Sequence, residues 1–446
     1  MKYKTTFDSL LTPETYMDEI EYRFAKKAGV FRNNSNEELT TADYFFHRRK
    51  IAKKIARTIS RGEYKLTPLV ERSAHIDNKE RLLYQSHSLD AIVIGAFARL
   101  LTKMVEPLLS NTVYSYRKGM SAICAIEALK KYITNHKSSR PDKKSRGLYV
   151  LKRDISAYGE SIPTHENSAL WPSLETVLST GTDSSSMSVL WPLLQQMIRP
   201  AIVDKSGVAT VLETGVPTGS SIQPVICNLY LSSLDEHLGA IEGGFYARYG
   251  DDFLFAHPDP GIAKQASDFI DNKVSALELQ IKSTKKMNYY ITGAGHASDL
   301  WPETTPLPHI EHLGYRLRFS GAIGMKRKKV RDLQQDLRAR IANTLLQLRN
   351  EPVPVQLDTV CNVVNVALDP MSPLCHRSAQ MLFHLVNDRA QLKHLDYLIA
   401  LEIASAISSK QGVRSFREVP YRNLREMHRL RSLEFSRNKQ KRRDHP

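Results

Sequence analysis

Residues 249–256, Tyr-Gly-Asp-Asp-Phe-Leu-Phe-Ala (YGDDFLFA), set two carboxylates, Asp251 and Asp252, at the tip of what reads as a β-hairpin. Strand formers flank them, with Phe245, Tyr246 and Ala247 before and Phe253, Leu254 and Phe255 after. Gly-Asp-Asp is good turn chemistry, so one reading is a solvated turn. The other is a pocket for divalent cations, and the rest of the sequence must decide between them.

A pair of aspartates cannot hold two metal ions alone. Two-metal phosphoryl transfer needs carboxylates from more than one strand, holding cations roughly 3.5–4 Å apart. The sequence offers a third acid at Asp154, in LKRDISAYGESIP, after a buried strand and before a turn into helix. Taken alone, Asp154 reads as a helix N-cap or a strand-end charge. If its strand neighbours the hairpin, all three acids meet at one sheet edge, and magnesium suits such a site because it is a hard cation held by few carboxylates. Between these motifs lies ETGVPTGSSIQPVICNLYLSSLD, where Gly215 and Gly219 bracket Val-Pro-Thr and lead into an apolar helix. A bare backbone at a helix start lets a base or phosphate approach closely.

The 446 residues carry a formal charge of +16 and a hydrophobic content of 41%. That length buries two or three cores, and that charge points to a polyanionic partner, most often nucleic acid. Cys124, Cys227, Cys361 and Cys375 lie far apart with no paired metal spacing, as expected of buried thiols in a reducing compartment. No apolar run is long enough for a membrane span, and the first ten residues lack the core of a signal peptide. These features predict a soluble, cytoplasmic protein.

Along the chain, residues 1–60 carry apolar residues at helical spacing. EYKLTPLVE reads as a short extended segment, and DNKERLLYQSHSLDAIVIGAFARLLTKMVEPLL as a loop followed by a long helix ending near Pro107. MSAICAIEALKKYITNH is a helix, KSSRPDKKSRG a polar connection, LYVLKRDIS a strand and TGTDSSSMS a polar loop. IAKQASDFIDNKVSALELQI is an amphipathic helix, and KKMNYYITG and HLGYRLRFSGAIGM are strands. A long basic helix follows from Lys326, then several helices to Lys410 and a strongly basic tail. Trp171, Trp191 and Trp301 each stand between Leu and Pro, and proline at a helix start accounts for the first two.

In order, YKLTPLVE, NKERLLYQSHSLDAIV, VYSYRKGMSAICAI, KRDISAYGESIPTH, GVPTGSSIQPVICNLYLSSLD, YARYGDDF, LELQIKSTKK and HLGYRLRF resemble the motifs of reverse transcriptases over roughly residues 60–330. DISAYGESIPTH and SFREVPY are most similar to the bacterial abortive-infection and defence-associated members. The resemblance implies an α+β right-hand polymerase fold of fingers, palm with antiparallel sheet, and thumb, with a C-terminal helical basic extension. Residues 1–60 would be an N-terminal helical extension, 61–325 fingers and palm, 326–350 the thumb helix and 351–446 a C-terminal helical basic domain. It implies an RNA-directed DNA polymerase, or an untemplated or protein-assisted one, acting in antiphage defence. It also implies two Mg2+ ions (or Mn2+), dNTP substrates, an RNA template or structured non-coding RNA, a DNA product, and a second copy or partner polymerase subunit.

Carried over residue by residue, the resemblance makes Asp154 and Asp251 the principal metal ligands and Asp252 the third acid, with the Ile155 carbonyl facing a metal. Tyr249 and Gly250 would support the primer end, and Gly219 and Gln223 would line the nucleotide pocket. Arg72 and Arg81 would clasp the triphosphate. Lys285 would stand near the leaving pyrophosphate, with Lys282 and Lys286 as rivals in register. Gly314 and Tyr315 would grip the primer, and the helix beginning Lys326, Arg327, Lys328 would track the duplex backbone.

One position departs from the family pattern. Five residues beyond the first aspartate, where most reverse transcriptases place a Phe or Tyr that blocks a ribose 2′-hydroxyl, stands Gly159. Either Tyr158 takes the role through a shifted backbone, or sugar discrimination is weak, or Glu160 or Tyr158 contacts the base of an unusual substrate. Thr218 and Ser221 also replace residues usual in relatives, without removing a metal ligand. Two alternatives to DNA synthesis are a viral-type RNA-dependent RNA polymerase and a non-catalytic nucleic-acid-binding subunit of a ribonucleoprotein. Gly159 and the out-of-step Asn228 fit the first poorly, and the presence of all three aspartates argues against the second.

Overall fold

The computed structural model describes residues 6–26, 40–76, 79–139, 147–204 and 206–434. The chain divides into two compact units, one of residues 1–125 and 149–288, the other of residues 126–148 and 289–446. Most of the connection KSSRPDKKSRG and the basic tail beyond residue 434 lie outside the described residues.

The first unit is built on the helix Ser88–Val105, in which Val93, Phe97, Leu101 and Val105 recur at every fourth position and are fully buried. That spacing makes one continuous apolar stripe. The N-terminal turn Phe7–Leu11 closes on it, with the Phe7 and Phe97 rings 5.7 Å apart. The helix Arg48–Ser60 buries Ala52, Ile55, Ala56 and Ile59 and exposes its basic face, as its amphipathic pattern predicts. Asp90 anchors the extended segment before the first strand by accepting hydrogen bonds from the Tyr64 hydroxyl at 2.8 Å and the Thr67 amide at 2.9 Å.

One sheet of this unit is a hairpin, β1 (Leu69–Ile76) and β2 (Lys79–Gln85), extended by the short strands β4 (Ala201–Val203) and β5 (Ala209–Val211) in the order β2-β1-β4-β5. The sequence predicts a loop where β2 lies. β2 reads KERLLYQ, a polar edge strand with little apolar alternation, so its pairing with β1 and not burial makes it a strand. The second sheet aligns β6 (Phe245–Tyr249), β7 (Asp252–His257) and β3 (Leu148–Asp154) in that order, all antiparallel. All seven residues of β3 are buried, so the apolar run sits in mid-sheet.

TGTDSSSMS is mostly helix, not loop. Asp183 caps the helix Ser184–Ile198 by accepting from the Ser186 amide at 2.7 Å, so the serines form its first turn. Pro192 lies inside that helix rather than at its start, and the Trp171 and Trp191 rings meet edge to face at 5.9 Å.

In the second unit, β8 (Met287–Ile291, from residue 289 on) runs parallel to β9 (Thr305–Leu307). A separate antiparallel sheet is formed by β10 (His309–His312), β11 (Tyr315–Arg318) and β12 (Ile323–Met325). HLGYRLRF is therefore not one strand. Leu313 and Gly314, both with positive φ (46° and 87°), form a two-residue hairpin turn between β10 and β11. The helix Arg327–Gln347 buries Leu333, Leu337 and Ile341 at helical spacing and packs in this unit with the helices Val353–Leu368 and Arg389–Ser408. Gln391 extends the β12 edge like a strand. Its side-chain Oε1 accepts from the Met325 amide at 2.7 Å and its Nε2 donates to the Met325 carbonyl at 3.0 Å.

Gly215 makes a tight approach to the backbone near the carboxylates. Its φ is +83°, and a Cβ there would stand 2.5 Å from the Glu160 carbonyl oxygen. Gly215→Ala should lower the denaturation midpoint, at a cost of about 2 kcal/mol or more from backbone strain and the clash together. An unchanged midpoint in chemical denaturation would contradict the packing described.

Candidate active site

The pairing of β3 with β7 assembles the carboxylates. Its register places Asp154 directly opposite Asp252, and Asp251 falls in the two-residue turn Gly250-Asp251 that joins β6 to β7. The Ile155 amide then donates to the Asp251 carbonyl at 3.1 Å, which fixes the turn against the end of β3. On the other side of this segment, the Ser156 amide donates to the Gln280 carbonyl at 2.8 Å and the Lys282 amide to the Asp154 carbonyl at 2.9 Å. This short ladder passes over Ile155 and delivers Lys282, and the turn Ser283–Lys285 after it, to the carboxylates.

Three ammonium groups face the three acids. Lys282 pairs with Asp154 and lies 3.9 Å from Asp251, Lys285 is 3.3 Å from Asp154, and Lys152 is 3.5 Å from Asp252. Lys152 shares a face of β3 with Asp154 because side chains alternate along a strand. Lys286, the remaining rival, is turned away and pairs with Asp271 at 2.7 Å. Lys152 is not evident as a site residue from the motifs alone, although its two-residue spacing from Asp154 is the signal that points to it.

Burial pushes the Asp251 carboxyl above its ordinary pKa, the Asp154 charge adds to this, and Lys282 works against it. Among the described residues, no group of three or more His, Cys, Asp or Glu side chains is arranged to hold a metal ion. At this cluster, the Lys282 ammonium sits between Asp154 and Asp251 where a cation would sit. The donor set fits a hard divalent ion, since it consists of carboxylate oxygens crowded enough to repel one another. The Lys282 and Lys285 side chains are 39% and 49% exposed, so both can withdraw into solvent.

Beside the acids, the Gly-rich turn is knitted to the segment after Asp154. The Val216 amide donates to the Gly159 carbonyl and the Gly215 amide to the Ile162 carbonyl, each at 2.8 Å. Gln223, at the start of the helix Gln223–Tyr230, donates to the Val216 carbonyl at 3.0 Å. Its amide occupies the space beside Gly159, where a Cβ would stand 2.4 Å from Gln223 Nε2. Tyr158 is turned into the core, and its hydroxyl donates to the Cys227 carbonyl at 2.6 Å. Gly219 is exposed, and next to it the Thr218 carbonyl accepts from the Tyr84 amide of β2 at 3.0 Å.

The other residues singled out from the sequence lie apart. Arg72 and Arg81 are on the β1–β2 hairpin, a different sheet from the aspartates. Arg81 pairs with Ala74, so positions 72 and 81 share one face. Tyr249 ends β6 opposite Asp252 and is 37% exposed. In the second unit, Gly314 forms the hairpin turn, Tyr315 is buried, Lys326 is half-buried 4.0 Å from Glu311, and Arg327 and Lys328 are exposed at the helix start.

The family model for reverse transcriptase (RNA-dependent DNA polymerase) matches residues 91–317, just over half of the chain. The chain belongs to this family and has the corresponding polymerase fold.

Solved structures similar to it include three telomerases. The apo enzyme of Candida tropicalis truncated from its C-terminal domain has 13% identity and a TM-score of 0.44, over 58% of this chain and 55% of that one. The Candida albicans enzyme in complex with a TWJ fragment of telomeric RNA has 13% identity and a TM-score of 0.46, over 83% and 64%. The apo enzyme of Candida tropicalis has 10% identity and a TM-score of 0.44, over 96% and 85%. The chain thus spans less than two thirds of the first two telomerases. No curated protein matches it. Among the described residues, no helix is long and apolar enough to cross a membrane.

The contact between Gly159 and Gln223 should be measurable as a coupling. Gly159→Ala alone is expected to cost about 1–2 kcal/mol, because the new methyl must displace the Gln223 amide. In a Gln223→Ala background most of that cost should vanish, a coupling of about 1 kcal/mol. Strictly additive costs in denaturant titrations would contradict the contact.

Proposed function

We propose that the chain copies RNA into DNA by two-metal nucleotidyl transfer at Asp154, Asp251 and Asp252. The observation that carries this reading is the register of β3 on β7, which brings an acid from one strand opposite an acid from another, with a third in the turn that joins β6 to β7. Two Mg2+ ions, or Mn2+ in their place, would when bound activate the attacking hydroxyl and stabilise the attacking and leaving oxygens. Asp154 and Asp251 would be the principal ligands, with Asp252 completing the carboxylate cluster and the Ile155 carbonyl facing a metal. Lys282 and Lys285, now paired with Asp154, would swing to the triphosphate, neutralising the departing pyrophosphate while the carboxylates are taken up.

The rest of the chain supplies binding and orientation. Arg72 and Arg81 on one face of their hairpin would clasp the triphosphate, and Gly219 and Gln223 would line the nucleotide pocket. Tyr249 and Gly250 would support the primer end. Gly314, Tyr315 and the helix beginning Lys326, Arg327 and Lys328 would grip primer and duplex backbone. In this reading residues 61–325 are fingers and palm, 326–350 the thumb helix, and 1–60 and 351–446 helical extensions. With Tyr158 buried and Gly159 bare, the Gln223 amide stands where an aromatic wall would otherwise exclude a ribose 2′-hydroxyl, so sugar discrimination is weak.

The motifs DISAYGESIPTH and SFREVPY support placement among the bacterial defence-associated enzymes, acting in the cytoplasm against phage on a structured RNA, with a second copy or another polymerase subunit as partner. Sequencing the DNA made in infected and uninfected cells tests that placement, and a DNA product independent of infection would contradict it.

Asp154→Asn and Asp251→Asn should each reduce primer extension by about 10³-fold or more, roughly 4 kcal/mol of transition-state stabilisation, while the protein stays folded by circular dichroism. Retained synthesis in either variant would overturn the proposal. Gly159→Phe should raise the preference for dNTP over rNTP by about tenfold or more, about 1.4 kcal/mol. An unchanged ratio would remove the account of sugar selection.

A further inference from the structure

Arg248 is a fully buried guanidinium in the middle of β6, two residues before the glycine of the carboxylate turn. Its partner Asp235, in the helix Ser232–Gly239, is fully buried too. Arg248 Nε donates to Asp235 Oδ1 at 2.7 Å and Nη2 to Oδ2 at 2.6 Å, a two-pronged pair, and the Tyr246 hydroxyl donates to the same carboxylate at 2.8 Å. Burial works to lower the Arg248 pKa, and the Asp235 charge overcomes it, so the guanidinium stays protonated. Taking both charges out of water costs several kcal/mol per ion, and a well-packed apolar pair commonly serves stability as well or better. Stability is therefore a poor reason for this pair to be here.

Its remaining hydrogen bonds give a better one. Arg248 Nη1 donates to the Gly250 carbonyl at 3.2 Å and to Asn228 Oδ1 at 3.3 Å, while Nη2 donates to the Asn228 carbonyl at 3.2 Å. From the other side, the Gly250 amide donates to Ser115 Oγ at 2.9 Å. Ser115 is nearly fully buried and held in turn, because Asn228 Nδ2 donates to its carbonyl at 2.9 Å. It reaches Gly250 because residues 112–114 run along β6, with the Arg248 amide donating to the Thr112 carbonyl and the Tyr114 amide to the Arg248 carbonyl, each at 2.9 Å. Gly250 itself has a φ of +67°, and a Cβ there would meet nothing within 4 Å, so side-chain packing does not hold the turn.

We propose that Ser115 and Arg248, backed by Asp235 and Asn228, form a clamp on the Gly250 main chain that sets the position of Asp251 and Asp252 before any cation binds. All four are positioning residues, acting on the metal site through the backbone. This rests on the carboxylates being the metal site, as proposed above. Without the clamp, two adjacent like charges at a glycine turn would splay apart, and a cation would have to order them on binding. With it, that ordering is built into the fold, where Lys152, Lys282 and Lys285 screen the acids.

The test is Ser115→Ala, which removes one grip and no charge, compared with Tyr230→Phe. The latter removes a buried hydroxyl that donates to the Leu277 carbonyl at 2.9 Å and does not touch Gly250. In metal-free protein, hydrogen exchange of a peptide spanning 245–257 should speed up at least tenfold in Ser115→Ala and stay within twofold in Tyr230→Phe. Mn2+ affinity, read by electron paramagnetic resonance without substrate, should weaken at least fivefold in Ser115→Ala alone. Its kcat should fall about tenfold, with the KM for nucleotide within twofold.

Unaltered exchange or unaltered Mn2+ affinity in Ser115→Ala overturns the clamp, as does an equal change in the Tyr230 variant. If Asp154→Asn abolishes synthesis while Ser115→Ala changes neither readout, only the clamp fails. If Asp154→Asn leaves synthesis intact, the function fails and the hydrogen-exchange result still decides the clamp.

Discussion

The register of β3 against β7 is the constraint on which the site depends. Side chains on a strand alternate faces, so a slip of one residue would send Asp154 away from Asp252 and put Arg153 in its place. Arg153 is itself a reason the slip does not occur. It is fully buried on the opposite face, where it donates to the Ser267 hydroxyl and the Asn288 side-chain oxygen at 2.9 Å and to the Met287 carbonyl at 2.8 Å. A shifted strand would pull that guanidinium off these partners and turn the charged Lys152 and Asp154 into the core, at a cost of about 3–5 kcal/mol. The neighbours Lys152, Arg153 and Asp154 thus divide the labour, with Arg153 locking the register while Lys152 and Asp154 face the cluster.

The register also creates an electrostatic problem. Carboxylates directly opposite one another on paired strands repel, and a third follows in the turn. Lysines answer it. A single ammonium near Asp154 and Asp251 lowers the repulsion without filling the coordination demands of a divalent ion, and exposed lysine stems can leave when a better cation arrives. The arrangement is a folded site with the acids collected and the counter-charge replaceable. The glycine turn beside it is held by main-chain hydrogen bonds to residues 159 and 162, so that turn and the carboxylates share one backbone framework.

Much of this was legible in the sequence. Acids at the ends of apolar strands stand out because a charge costs most there, and so Asp154, Asp251 and Asp252 could be paired before any coordinates. The long helix Ser88–Val105 was equally plain from its four-residue stripe. Where pairing or capping, not hydrophobic contrast, decides the structure, the reading failed. β2 is polar and became a strand only by meeting β1. Asp183 turned a serine-rich loop into a helix start. Leu313 and Gly314 broke one expected strand into a hairpin, through a left-handed leucine that propensity does not anticipate. Arg248 and Asp235 were visible as charges in apolar runs, but nothing in the sequence said that they pair with each other.

The central claim is that Asp154, Asp251 and Asp252 form one divalent-cation site now screened by lysine. Crystals soaked in Mn2+ and measured at the manganese absorption edge test it most directly. The account predicts two anomalous peaks among the three carboxylates, roughly 3.5–4 Å apart when nucleotide is present, with the Lys282 ammonium displaced from Asp154. Manganese elsewhere on the surface, with Lys282 still on Asp154 and no peak between the acids, would contradict it.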